Sequence, residues 1–152
     1  MDKNKNLYRL FSEDCFTIIN DQSLSKEEII HILCNSAYLK GYVEEGFETQ
    51  VLEREKLSAT AFHNIAMPHT LNTTNKETRI LVGVCPKGLK WDMNTVDIVL
   101  VLVVNSNDRN EFKNLFQNVV SIFTSKTWSE SHKKINDYNY FINLVQNTFV
   151  KG

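Results

Sequence analysis

Val96-Asp97-Ile98-Val99-Leu100-Val101-Leu102-Val103-Val104 is apolar at every position but one. β-Branched residues dominate it, and no polar alternation interrupts it, so the run predicts a strand covered on both faces. Just upstream, Arg79-Ile80-Leu81-Val82-Gly83-Val84-Cys85 has the same character and is closed by Pro86-Lys87-Gly88. Between the two runs, Lys90-Trp91-Asp92-Met93-Asn94 has turn chemistry around one aromatic. Residues 14–19 predict a further short strand. Ile65 to Pro68 predicts an extended segment, because the residue before a proline is pushed out of the helical region.

Helices alternate with these strands. Ser25-Lys26-Glu27-Glu28 is a capping box, followed by Ile29, Ile30, Leu33, Cys34, Ala37 and Tyr38 at helical spacing and by Gly41 as a stop. Glu44 to Glu55 predicts a second helix with Phe47, Val51 and Leu52 inward and Arg54 in its last turn. Asp108 opens a third, whose Phe112, Leu115, Phe116, Val119, Val120 and Phe123 share a face. From Asp137 a last one carries Tyr140, Phe141, Leu144, Val145 and Phe149. The pattern predicts an α/β three-layer sandwich, a mixed central sheet flanked by helices on both faces. The chain carries no repeat, low-complexity tract or proline-rich linker, so residues 1–152 are expected to form one domain with a core over about 10–148.

The totals exclude several classes. Net charge is -1 with no lysine-arginine block, which argues against nucleic-acid binding by this domain. No apolar run approaches the roughly 20 residues that cross a bilayer, and Met1 to Asn6 has no signal-peptide core. Cys15, Cys34 and Cys85 are odd in number and scattered, which fits a reducing cytoplasm better than a disulfide framework or a zinc ribbon. Cys34 and Cys85 fall on apolar faces and are expected to be buried.

The chemistry concentrates in Arg54-Glu55, Ser58-Ala59-Thr60-Ala61-Phe62 and Ile65-Ala66-Met67-Pro68-His69. His69 follows a core-anchored, proline-restricted segment, and neutral imidazole is a competent nucleophile near pH 7. Arg54 can match phosphoryl oxygens with a planar fork, and the Ser58 and Thr60 hydroxyls can donate to what remains. His31 and His132 sit in a helix and a polar segment and carry no such company.

Together these residues resemble the fructose/mannitol-type enzyme IIA domains of the bacterial phosphoenolpyruvate-dependent sugar phosphotransferase system. Such domains carry an Arg-Glu pair, a Ser/Thr-rich turn and an Ala-x-Pro-His that ends in the phosphorylated histidine. The likeness covers roughly residues 10–148 and includes Lys40-Gly41-Tyr42-Val43, Val51-Leu52-Glu53-Arg54-Glu55 and Lys90-Trp91-Asp92. It implies a cytoplasmic phosphocarrier without cofactor. His69 would take a phosphoryl group from the histidine-containing phosphocarrier protein and pass it to a IIB partner, with Arg54 and Thr60 as its phosphate-stabilising neighbours; the Ser58 hydroxyl joins them as a phosphoryl ligand on the residue reading above.

The chain departs from the family pattern twice. Phe62-His63-Asn64-Ile65 is a residue shorter than usual, with His63 where a glycine is expected. The second histidine common after the apolar strand is missing, and the region reads Arg109-Asn110-Glu111-Phe112. A carboxylate there would repel a phosphoryl group if it faced the site, whereas His63 entering from its turn would serve as an accessory group. IIA-like domains of BglG/LicR-type transcriptional regulators also lack the second histidine, so a regulatory input domain is the alternative expectation. Met1 and the length favour a free-standing carrier. A metal-dependent hydrolase using His63 and His69 is the third reading, and two histidines fall short of the three or four ligands that zinc requires.

Overall fold

The structure, a computed structural model, describes residues 9–70 and 74–151. Four strands, β1 (Phe16–Ile18), β2 (Ile65–Ala66), β3 (Thr74–Trp91) and β4 (Asn94–Asn105), form one sheet in the order β1-β3-β4-β2. β1 is parallel to β3, β2 is parallel to β4, and β3 and β4 pair antiparallel through the Asp92-Met93 turn. The sheet is therefore mixed.

Side-chain alternation along β4 builds the layers. Ile98, Leu100 and Leu102 face one apolar core, whereas Val99, Val101 and Val103 face another. β3 keeps the same parity, with Ile80, Val82 and Val84 on the first side and Leu81 and Cys85 on the second. These strands lack a polar face because neither side meets water. On the second side lie α1 (Lys26–Leu39) and α2 (Phe47–Leu57); on the first lie α3 (Arg109–Phe123), the six-residue α4 (Lys126–Ser131) and α5 (Tyr138–Lys151). The α/β three-layer expectation holds. No helix among the described residues is long and apolar enough to cross a membrane.

Local chemistry sets the helix ends. Ser25 Oγ accepts from the Glu28 N–H at 3.1 Å, and Glu28 Oε1 accepts from the Ser25 N–H at 3.2 Å, completing the capping box. At the other end Gly41 has φ +79, and the N–H groups of Gly41 and Tyr42 donate to the carbonyls of Tyr38 and Ala37. That is the Schellman pattern, and it requires a residue at ease with positive φ.

Several boundaries differ from the sequence reading. α2 starts at Phe47, three residues later than expected, because Gly46 turns left-handed at φ +94 and the Phe47 N–H closes a turn on Glu44. Residues 13–15 form a 3-10 turn, so β1 is only three residues long. Pro86-Lys87-Gly88 does not end β3. It forms a bulge, the register shifting between Val84 and Leu89 and Gly88 taking φ +78.

α4 was not legible in advance, and with it the burial of Trp128 and His132. In α5 the buried residues among those described are Phe141, Ile142 and Val145, whereas Tyr140 lies at the exposed border. The side chains of Glu111, Phe112, Leu115, Phe116 and Phe149 fall outside the described residues. All three cysteines are buried free thiols, and burial pushes Cys34 and Cys85 up to about 12.

Candidate functional site

His69 is set by the strand that precedes it. Ile65 and Ala66 pair with Ile98 and Val99, the Leu102 N–H donates to the Pro68 carbonyl at 3.0 Å, and His69 itself bridges Leu102. The backbone is thus pinned to the central strand for five residues, with Met67 buried beneath and the His69 ring half-exposed. Its Nδ1 lies 2.9 Å from the Met67 carbonyl oxygen. A carbonyl can only accept, so the proton of the neutral ring sits on Nδ1 and the lone pair on Nε2. Among the described residues, Nε2 has no hydrogen-bond partner.

The helix α2 borders this segment. Thr70 Oγ1 donates to Gln50 Oε1 at 3.1 Å, which ties the residue after His69 to the first turn of α2. Gln50 and Arg54 stand four apart on that helix, so their Cβ atoms are roughly 6 Å apart on one face. Arg54 is half-buried and its Nη1 donates to the Ser58 carbonyl at 3.0 Å. Among the described residues it forms no ion pair, so the positive charge of the guanidinium is not matched by a carboxylate.

Ser58 is exposed and caps α2 in an extended conformation, its carbonyl holding Arg54. Thr60 is engaged differently from the expectation that it donates to a phosphoryl oxygen. Its hydroxyl donates to Glu55 Oε1 at 2.7 Å and its N–H to Glu55 Oε2 at 2.9 Å. The Thr60 proton is therefore spent on a buried carboxylate. Trp91 Nε1 adds a third donor to Glu55 at 3.3 Å.

The structure does not bring His63 next to His69. It sits at the first corner of the tight Phe62–Ile65 turn, with φ +52 and an exposed ring lying edge-on to Phe62. Ile65 and His69 pair with Ile98 and Leu102, four positions apart on β4. At about 3.3 Å per residue their Cα atoms are roughly 13 Å apart, and the turn carries His63 farther still. His63 and His69 are thus too distant to share an ion, which removes the hydrolase reading. The positive φ also explains why glycine suits this corner.

The sequence reading named Glu55 without giving it a role and missed two other participants. Gln50 gave no signal, being a polar residue on an exposed helix face. Glu55 did give one: it continues the buried Phe47-Val51 stripe at helical spacing, an unusual place for a carboxylate. His132, expected at the surface, is buried beside Asp97, with Nε2 3.7 Å from Oδ2 and Nδ1 3.1 Å from the Trp128 carbonyl oxygen. Asp97 Oδ1 also accepts from Trp128 Nε1 at 2.8 Å and Asn64 Nδ2 at 3.0 Å, clamping the turn before β2 to the α3–α4 side. His31 pairs with Glu48 on the exposed side.

The chain is 30% identical over 99 residues to the probable licABCH operon regulator of Bacillus subtilis (strain 168), an alignment covering 64% of this chain and 15% of that protein. It is 29% identical over 114 residues to the mannitol-specific EIICBA component of Escherichia coli (strain K12), covering 72% and 18% respectively. The chain thus spans less than a fifth of the length of either relative. Its fold matches enzyme IIAMTL in the complex with phosphorylated enzyme IIBMTL from Escherichia coli, with a TM-score of 0.70 at 18% identity over 90% of this chain and 96% of that one. Residues 9–148 match the family described as phosphoenolpyruvate-dependent sugar phosphotransferase system, EIIA 2, and the chain belongs to that family.

Proposed function

We propose that this chain is the phosphohistidine carrier unit of a sugar phosphotransferase system, acting in the cytoplasm as one domain and taking its phosphoryl group on His69. The observation that carries the proposal is the Nδ1–H of His69 held by the Met67 carbonyl, with Nε2 left unengaged. Nε2 attacks phosphorus in line. A P–N bond forms to His69 as the P–N bond to the donor histidine breaks, and the electron pair returns to the donor ring. His69 gains positive charge in this step, which strengthens its Nδ1–H bond to Met67.

Arg54 and the exposed Ser58 hydroxyl are the proposed ligands of the phosphoryl oxygens, because phosphoryl transfer is catalysed chiefly by positioning and charge. Thr60 would have to release Glu55 to join them. The donor is the histidine-containing phosphocarrier protein. The acceptor is a IIB component, a role supported by the complex of the Escherichia coli relative with phosphorylated IIB. In this reading the chain is a phosphotransferase component.

A second reading has specific support. The licABCH operon regulator and the transcriptional regulator ManR of Bacillus subtilis are both similar to this chain, and the helix after β4 lacks a histidine at its start. In that case phosphorylation of His69 controls a regulator. Incubation with phosphoenolpyruvate, enzyme I and the phosphocarrier protein tests the shared chemistry: one acid-labile, alkali-stable phosphate is expected. It should vanish in His69→Ala and persist in His63→Ala. Label on His69→Ala would sink the assignment. Rapid exchange with one member of a IIB panel favours the carrier, and no exchange with any favours the regulator.

A further inference from the structure

Glu55 is a charged side chain that the transfer chemistry does not use, and it is only 3% exposed. A carboxylate out of water must be compensated by donors. Glu55 receives three: the Thr60 N–H and Trp91 Nε1–H on one oxygen, and the Thr60 hydroxyl on the other. Lys26, paired with Asp92 at 2.7 Å, adds positive potential on the same side.

The preceding residue hooks the same loop. Arg54 reaches Ser58 and Glu55 reaches Thr60, so two consecutive side chains in the last turn of α2 grip a loop of three residues. The loop has little else to hold it, because Ser58 and Ala59 are exposed. Arginine carries large rotamer freedom, and among the described residues the one anchor of this guanidinium is a carbonyl of that loop. Any freedom of the loop passes directly to the guanidinium.

We infer that Glu55 is a positioning residue for phosphoryl transfer: by clamping Thr60 it fixes the Ser58 carbonyl and, through it, the Arg54 guanidinium. The inference rests on the carrier reading above. A misplacement of about 1 Å can slow an oriented reaction by roughly 100-fold. Glutamine can keep the clamp. Its oxygen accepts the two N–H donors, while its amide donates to a Thr60 hydroxyl that has reversed its direction. Alanine cannot.

The test measures initial rates of His69 labelling against donor phosphoprotein concentration, on variants whose circular dichroism matches wild type. Glu55→Ala is expected to lower the maximal rate by about 10- to 100-fold with KM within about twofold, and Glu55→Gln to stay within about threefold of wild type. Arg54→Ala/Glu55→Ala should be no slower than Arg54→Ala alone, because one residue acts through the other. A double variant slowed by the product of the single effects overturns the inference, as does Glu55→Gln as slow as Glu55→Ala. If Glu55→Ala does not fold, Thr60→Val removes only the hydroxyl arm. It should lose about 3- to 10-fold, again without adding to Arg54→Ala, and an undiminished rate counts against the clamp. Wild type that takes no label defeats the carrier reading separately. NMR order parameters of the Arg54 Nε–H then still report whether Glu55 restrains the guanidinium, by falling or not falling in Glu55→Ala.

Discussion

Replacing Arg54 by alanine is the sharpest perturbation of the proposed chemistry. The guanidinium is half-buried, unmatched by a carboxylate among the described residues and tied by one hydrogen bond to Ser58. At about 4–5 Å from a phosphoryl group, and with an effective dielectric near 20, such a charge contributes roughly 3–4 kcal/mol. Part of that is present before transfer, so about 2–3 kcal/mol should reach the transition state, a slowing of roughly 30- to 150-fold. The stability cost is far smaller. The lost bond to Ser58 is partly solvated and contributes about 0.5–1.5 kcal/mol.

Arg54→Lys keeps the charge but loses the planar fork, and should fall between wild type and Arg54→Ala. Single-turnover labelling from the phosphorylated donor, at equal concentrations of folded protein, measures both. Raising the salt to about 0.1 M should narrow the gap between wild type and Arg54→Ala only slightly, because a half-buried charge about 4–5 Å from the phosphoryl group lies well inside the Debye length of about 10 Å. Wild-type rates in Arg54→Ala would refute the electrostatic role. Lysine performing no better than alanine would refute charge as its basis.

Other consequences are simpler to check. Asp97→Ala removes the acceptor of Trp128 Nε1 and Asn64 Nδ2 and the carboxylate beside buried His132, so urea unfolding should show a loss of roughly 3–5 kcal/mol. In a domain of this size that lowers Tm by about 6–20 °C, and a loss below about 1 kcal/mol would show the cluster to be solvated. Asp14 accepts from the Tyr42 hydroxyl, which holds its carboxyl below the ordinary 3.8. A depressed folded pKa contributes stability above the unfolded value and loses it as pH falls through the folded one. Asp14→Asn should therefore cost roughly 0.2–1 kcal/mol at pH 7, with the gap to wild type closing below about pH 3.8. A gap that persists into stronger acid would rule out the carboxylate as its source.

Periodicity alone was enough for the layers. Val96 to Val104 could not be half-solvated, and the flanking helical patterns supplied covers for both of its faces. The caps of α1 were equally local, since Ser25, Glu28 and Gly41 act within a turn of their own positions. Even the left-handed corner at His63 left a trace, as the family pattern expects glycine there. The bulge at Pro86-Lys87-Gly88 was not readable, because the same residues serve to end a strand or to bend one, and only pairing with β4 chooses between them.

His69, Arg54 and Glu55 were visible as residues in the chain, but their chemistry was not. Which ring nitrogen keeps its proton depends on where the Met67 carbonyl points once β2 is docked. Whether the Thr60 hydroxyl faces a phosphoryl group or a carboxylate depends on Glu55 being sealed beneath it by Trp91, a residue 36 positions away. Hydrophobic pattern and capping are short-range and written in neighbouring residues. The direction of a hydrogen bond at a buried carboxylate is settled by groups that meet only when the layers close.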